Sequence, residues 1–244
     1  MDLIEEAVFT GNRHPWEIAR CRSILSLERG GPGTLRYADI GAGDMYFTRA
    51  LSKSSSLPVY AVDSHYTVQG AVDGIIRVTD IRDLPTGSVD RVFLMDVLEH
   101  IEDDARFLGA VADLLGERGS AIITVPAFDY LFSGHDINLR HLRRYGHRGL
   151  IGLLEKHGFI IDEYFYFYVS LFFIRFLQVT IRSTTGSPDG ISAVSRWKFG
   201  ERSVITVLIT TALRAEFTLS RWFKKAGILI PGLSLYCVCH KKGG

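Results

Sequence analysis

The sequence is poor in the residues that commit a chain to several common functions. It holds only three cysteines, Cys21, Cys237 and Cys239. They are too few and too irregularly spaced for a disulfide framework or a zinc site, so a reducing compartment is expected and no metal site is read. Neither sign of charge is in excess: 28 basic against 27 acidic residues leave no electrostatic footprint for nucleic acid over the whole chain. The opening, Met1-Asp2-Leu3-Ile4-Glu5-Glu6, lacks the basic-then-apolar order of a signal peptide and predicts a cytoplasmic protein. Long uninterrupted apolar runs are missing too. The aromatic stretch 164–177 is short and broken by Arg175, and Ser203 to Phe223 carries Arg214, Glu216 and Arg221, so neither reads as a membrane span. What the chain does have is apolar mass: 47% of its 244 residues are hydrophobic, enough for one sizeable core.

The most informative stretch runs from Arg36 to Leu51. A short apolar run ends at Asp39-Ile40, breaks into Gly41-Ala42-Gly43, and resumes as a helical pattern with Phe47, Ala50 and Leu51 on one side. This reads as strand, tight turn, helix, with glycines where a ligand must approach the backbone closely. The loop has Tyr46 where a dinucleotide fingerprint places its third glycine, and no Gly-Lys-Ser/Thr to cradle phosphates. Asp39 in front of the glycines would repel a pyrophosphate but suits an ammonium or sulfonium group. Twenty residues past Gly43, the run Val59 to Val62 ends in Asp63-Ser64, where an acid can accept hydrogen bonds from ribose hydroxyls. A cationic nucleoside is implied.

These residues resemble the class I S-adenosylmethionine-dependent methyltransferases, whose first motif is an acid followed by a Gly-x-Gly turn. Later landmarks match in order. Asp80-Ile81 after a third apolar run is similar to the position contacting adenine, and Met95-Asp96-Val97-Leu98-Glu99-His100 to the motif after the fourth strand. Met45 stands where many relatives carry a third glycine. The resemblance implies that Asp39, Gly41, Ala42, Gly43, Asp63, Ser64, Asp80, Ile81, Asp96 and Val97 bind or frame S-adenosylmethionine, with S-adenosylhomocysteine as product.

Apolar runs at Pro58 to Val62, Gly74 to Val78, Arg91 to Met95 and Ala121 to Val125 alternate with polar or helical stretches, which implies a parallel sheet covered on both faces. Between the fourth and fifth strands a helix is expected from Glu102-Asp103-Asp104, ended by Gly116 and Gly119. A helix from Pro15 precedes the first strand; on it Trp16 and Arg20 share a face and could line a site, and the loop 29–33 ends it.

After the fifth strand, the stretch from Phe128 to Tyr145 is too rich in ionisable groups to be mere connection. It resembles a subgroup, the type 11 or type 12 methyltransferase domains, that carries an aspartate, a histidine and Arg-Arg-Tyr here: Asp136, His141, Arg143, Arg144 and Tyr145. A histidine suits the role of base at neutral pH. His141 and His100 are the candidates, His135 the third. Asp136 could orient an imidazole, and Arg143 or Arg144 could clamp an anionic acceptor. Structural roles compete: Arg144 and Tyr145 could instead hold loop carbonyls, and His100 the turn after strand four.

Residues 169–230 read as a helical insertion, with a loop near Thr184 to Gly190, before Pro231-Gly232-Leu233-Ser234-Leu235 leads into a last strand. Cys237 and Cys239 alternate to one face of that strand as core residues. The reading is a single three-layer α/β methyltransferase domain, mostly parallel with an antiparallel last strand. Residues 1–33 form a helical cover, 34–168 and 231–244 the core, and 169–230 an acceptor lid, a homodimer interface or a membrane-surface contact. The acceptor is a small molecule or a lipid- or glycan-linked one, methylated on oxygen or nitrogen. A protein that binds S-adenosylmethionine without transferring methyl, and an NAD-dependent oxidoreductase, are the alternatives.

Overall fold

The computed structural model describes residues 12–28, 34–185 and 197–243. The expected loop at 29–33, the amino-terminal hexapeptide and residues 186–190 of the expected second loop lie outside them.

Local sequence dictates most of the elements. Pro15, tolerated in a first helical turn, opens α1 (Pro15–Glu28). Strand β1 (Tyr37–Ile40) leads through the glycine turn to α2 (Tyr46–Ser52), then β2 (Val59–Val62). A short exposed strand that the sequence pattern did not disclose, β3 (Gly70–Val72), precedes β4 (Ile75–Val78). Next come β5 (Val89–Met95), a 3₁₀ turn (Leu98–His100) and α3 (Asp104–Leu114), whose first turn is capped by the Asp103 carboxylate accepting from the Arg106 amide at 2.9 Å. Strand β6 (Leu115–Pro126) follows without a break. The helix ends at Leu114 with Leu115 as its C-cap, directly before Gly116 as expected, and Gly116 and Gly119 then lie within β6. Leu115 turns to ψ 135°, pairs with Val89 and is 1% exposed, so the chain passes from helix directly into the sheet.

The remainder is a 3₁₀ turn (Asp129–Leu131), α4 (Gly134–Asn138), α5 (His147–Lys156), β7 (Phe159–Phe167), α6 (Val169–Thr185), α7 (Val204–Lys225) and β8 (Ser234–Lys241). Helix α6 takes in Thr184 and Thr185, which composition had placed in a loop. Ser203 caps α7.

The eight strands make one sheet in the order β3-β4-β2-β1-β5-β6-β8-β7. The central pairs are parallel, and β8 runs antiparallel between β6 and β7. Because successive strand residues face opposite sides, each strand feeds two cores. Ala38, Ile40, Val92, Leu94, Ile123, Cys237 and Cys239 pack under α3 and α5 with Leu108, Val111, Leu150 and Leu154. Tyr37, Phe93, Ile122, Phe165 and Tyr236 pack under α1, α2 and α7 with Ile24, Phe47, Leu213 and Phe217. This is the three-layer α/β fold expected, with both β8 cysteines fully buried. Each fully buried ring such as Phe93 or Phe165 contributes about 1.5–3 kcal/mol.

Close approach fixes the way into β8. A Cβ on Gly232 would stand 2.2 Å from the Phe167 carbonyl oxygen, so only glycine passes the end of β7 there. No helix among the described residues is long and apolar enough to cross a membrane.

Candidate active site

The carboxyl ends of the parallel strands lie level, with Ile40 paired to Val62 and Leu94, and Val62 to Val78. Over them opens a cleft of ≈ 500 Å³ lined by Gly41, Asp63, Ser64, Asp80, Ile81, Asp96 and Val97, with His100 at one end and Phe107 of α3 on its wall. This is within the range of small-molecule sites. Gly41 has φ +72°, and a Cβ there would meet the Val97 methyl at 2.6 Å. Met45 itself adopts φ 62° at the start of α2, a conformation that favours glycine.

The strand-end acids divide by task. Asp63 is pinned to the turn: it accepts from the Gly43 amide at 2.9 Å and from the His65 amide at 2.9 Å. Asp80 caps the Ile81–Asp83 turn, accepting from the Arg82 amide at 2.8 Å, and that arginine holds its carboxyl down at about 2. Asp96 sits at φ 56°, paired with Arg20 of α1 and bonded by the Thr124 hydroxyl at 3.0 Å. All three line the cleft. Asp39 does not. Strand alternation turns it to the α2 face, where it is 2% exposed and accepts from the Thr48 hydroxyl at 2.5 Å. Burial pushes its carboxyl up to about 6, against the pull of the Thr48 bond. Ala42 lies beside it on a cavity of only ≈ 40 Å³.

A second cavity, of ≈ 190 Å³, shares Asp96 and His100 with the first. Its walls are Trp16 and Arg20 of α1, Pro126, His135, His141, Arg144, Tyr168, Leu171 and Leu233. The Arg20 guanidinium lies 5.1 Å from the Trp16 ring centre, which holds both side chains of α1 on this wall.

Beneath the cavity lies Asp136, 0% exposed. It accepts from His141 Nδ1 at 3.0 Å, Arg144 Nε at 2.7 Å and the Ser133 amide at 3.0 Å, while Arg175 of α6 stands 3.7 Å away. Burial alone would raise its carboxyl, but the bonds from His141 and Arg144 bring it down to about 2. An ionised Asp136 keeps the His141 proton on Nδ1 and leaves Nε2 as the acceptor. The His141 ring meets His100 edge-on, centroids 4.8 Å apart. Next to them Glu99 is 0% exposed and neither carboxylate oxygen reaches a hydrogen-bond partner on another residue. Burial pushes it up to about 8, with its own backbone amide, and then Arg20 and Arg144, pulling the other way. His135 is pushed down to about 4 by burial and by Arg175.

The structure thus brings His100, His141 and Arg144 together around one cavity, with Asp136 behind them. Tyr145 stands apart: its hydroxyl reaches the Leu98 carbonyl at 3.1 Å and Asp104 at 3.0 Å. Arg143 pairs with Asp104 at 2.8 Å. Glu99 and Arg175 were missed as members of the site. An arginine set within the apolar run Leu171 to Leu177 calls for an anionic partner, and that signal points to Arg175.

Residues 38–123 match the family model Methyltransf_11, described as a methyltransferase domain. No curated protein sequence matches the chain. Among solved structures, it is similar to a SAM-dependent methyltransferase from Archaeoglobus fulgidus, 18% identical over 93% of this chain and 94% of that one, with TM-score 0.55. It is also similar to an S-adenosylmethionine-dependent methyltransferase from Mesorhizobium loti, 15% identical over 91% and 98%, TM-score 0.56. The [4+2]-cyclase SpnF is 17% identical over 96% and 85%, TM-score 0.56. Identities this low carry the fold alone. Together they show a match to the type 11 methyltransferase-domain class over residues 38–123, set in a fold shared with S-adenosylmethionine-dependent methyltransferases. S-adenosylmethionine is the cofactor of this class, and the cleft fits it: a nucleoside-sized space with a Cβ-free floor at Gly41 and the acids Asp63, Asp80 and Asp96 along its walls.

Proposed function

We propose that this chain moves the methyl group of S-adenosylmethionine to an oxygen or nitrogen of an acceptor seated in the smaller cavity. The observation that carries the reading is that the two cavities meet at Asp96 and His100. A nucleoside held at Asp63 and Asp80 then has its sulfonium end at that junction. Asp63 accepts from ribose hydroxyls, Asp80 and Ile81 frame the adenine, and Gly41 and Val97 form the floor. The sulfonium supplies a methyl group already activated, so the protein's task is to align the acceptor and exclude water.

His100 and His141 meet the acceptor heteroatom. Asp136 and Arg144 fix the His141 ring, and Trp16, Tyr168, Leu171 and Leu233 form the apolar wall. A space of ≈ 190 Å³ takes a small acceptor or the reacting end of a lipid- or glycan-linked one, methylated at the cytoplasmic side. Titration calorimetry tests the cofactor: micromolar binding of S-adenosylmethionine and S-adenosylhomocysteine, worth about 8 kcal/mol, is expected, and none of NAD. His141→Ala is expected to lower turnover at least tenfold, toward the roughly hundredfold of a lost proton-handling group, with S-adenosylhomocysteine affinity unchanged. Unaltered turnover would remove His141 from the reaction.

A further inference from the structure

We propose that Glu99, His100 and His141 bind one divalent transition-metal ion, of the zinc, iron or cobalt kind, at the junction of the two cavities. Each offers one ligand atom, and these atoms lie within 4.8 Å of one another. A tetrahedral ion with bonds of about 2.0–2.2 Å would draw them to roughly 3.4 Å apart, which side-chain rotation achieves. Two imidazoles and one carboxylate are a donor set these ions accept.

Three further observations point the same way. Glu99 is fully buried with no donor from any other residue on either oxygen, and a buried carboxylate so placed calls for a counter-charge. His141 is already prepared as a ligand: its Nδ1 is bonded to Asp136 at 3.0 Å, and Asp136 is itself locked by Arg144. This carboxylate-to-imidazole contact is the arrangement that orients metal-binding histidines and leaves Nε2 for the ion. The two ligand-bearing segments are also tied together. The Leu142 amide donates to the Glu99 carbonyl at 2.8 Å, and the Tyr145 hydroxyl to the Leu98 carbonyl at 3.1 Å. Entry is open, because His100 and His141 line the smaller cavity.

The consequence for the acceptor rests on the reading above. An ion with three protein ligands keeps a position for a substrate oxygen. An alcohol or phenol bound there releases its proton to water. The oxygen lone pair then forms the bond to the methyl carbon as the carbon–sulfur bond breaks, its electrons staying on sulfur as a neutral thioether. His141 is then a ligand rather than the base, and hydroxyl acceptors are favoured over amines, whose lone pair the ion would occupy.

The test uses the full chain without an affinity tag, stripped with a chelator and titrated with Co²⁺ by visible absorption and calorimetry. Every variant is also titrated with S-adenosylhomocysteine as a check of folding. Saturable uptake of one Co²⁺ per chain is expected, weakened at least tenfold in Glu99→Gln and in His141→Ala, and unchanged in His240→Ala, whose ring pairs with Asp162 away from the site. No saturable uptake by the wild-type chain overturns the metal site, whatever becomes of the variants, and so does equal affinity in a folded Glu99→Gln protein. Cobalt uptake without S-adenosylhomocysteine binding would overturn methyl transfer and leave the metal site standing; the reverse result would do the opposite.

Discussion

At the scale of single residues, the carboxylates show how differently one fold treats chemically equal groups. Asp39 is buried with one hydroxyl for company and titrates near 6, above its ordinary 3.8. The unfolded chain gives up this proton first, so the raised value is a stability contribution present below pH 3.8 and lost as pH rises through about 6. Two pH units correspond to about 3 kcal/mol. Urea unfolding between pH 4 and 7 should show this decline in the wild-type chain and a flatter profile in Asp39→Asn.

Asp136 is the opposite case, buried but held by His141, Arg144 and the Ser133 amide. Asp136→Ala leaves Arg144 buried without its anion and should reduce the unfolding free energy by about 3–5 kcal/mol, measured at constant pH. Sequence reasoning reached Asp63, Asp80, Asp96, His100 and His141 because each stands at a strand end or in a charged loop. It had no means of telling that Asp39 faces away from the cleft, since one step along a strand reverses the face and nothing local marks which face carries the ligand. Glu99 lay in plain view within Leu98-Glu99-His100, but its isolation depends on the loop around Leu142 folding over it.

At the scale of elements, turns and ends carry the constraints. Alternating apolar runs and capping acids made β1, β2, β4, β5 and α3 legible. β3 was not, because three exposed residues pairing with β4 bury nothing that composition could betray. Gly116 marked the end of α3 but not the immediate start of β6 at Leu115, which is held by a partner far away in sequence, Val89. The Pro231-Gly232 entry to β8 gives a sharp expectation. A methyl at Gly232 would collide with the Phe167 carbonyl, and backbone cannot rotate aside as a side chain can. Gly232→Ala should therefore destabilise by about 1–3 kcal/mol and widen the smaller cavity at neighbouring Leu233, visible as a lower melting temperature that S-adenosylhomocysteine only partly restores.

At the scale of the whole molecule, α6 and α7 carry much of the exposed apolar surface. Helix α6 turns Phe128, Phe172 and Phe176 into a ladder of rings with Tyr130 and Tyr166, yet leaves Phe173, Ile174 and Leu177 more than half exposed. Trp222 of α7 is 61% exposed. We expect these apolar faces to meet a lipid surface. Phe173→Glu with Leu177→Glu should abolish co-sedimentation with anionic vesicles while cofactor binding is kept; a wild-type chain that stays in the supernatant would remove the lipid contact. Composition could show that 169–230 is apolar. It could not show which residues the sheet would cover, because that depends on where α7 lies against α1 and β7.

The position of β8 also has a meaning in time. It is the last strand of this sheet in chain order, yet it sits between β6 and β7. Until it arrives, β6 presents an open edge and β7 has no partner in the sheet, while β4, β2, β1 and β5, which frame the nucleoside cleft, already have their neighbours. Leu233 and Ser234, which complete the smaller cavity, arrive with that strand. The half that holds the methyl donor can therefore take shape during synthesis, and the half that admits an acceptor closes only after residue 230 has emerged.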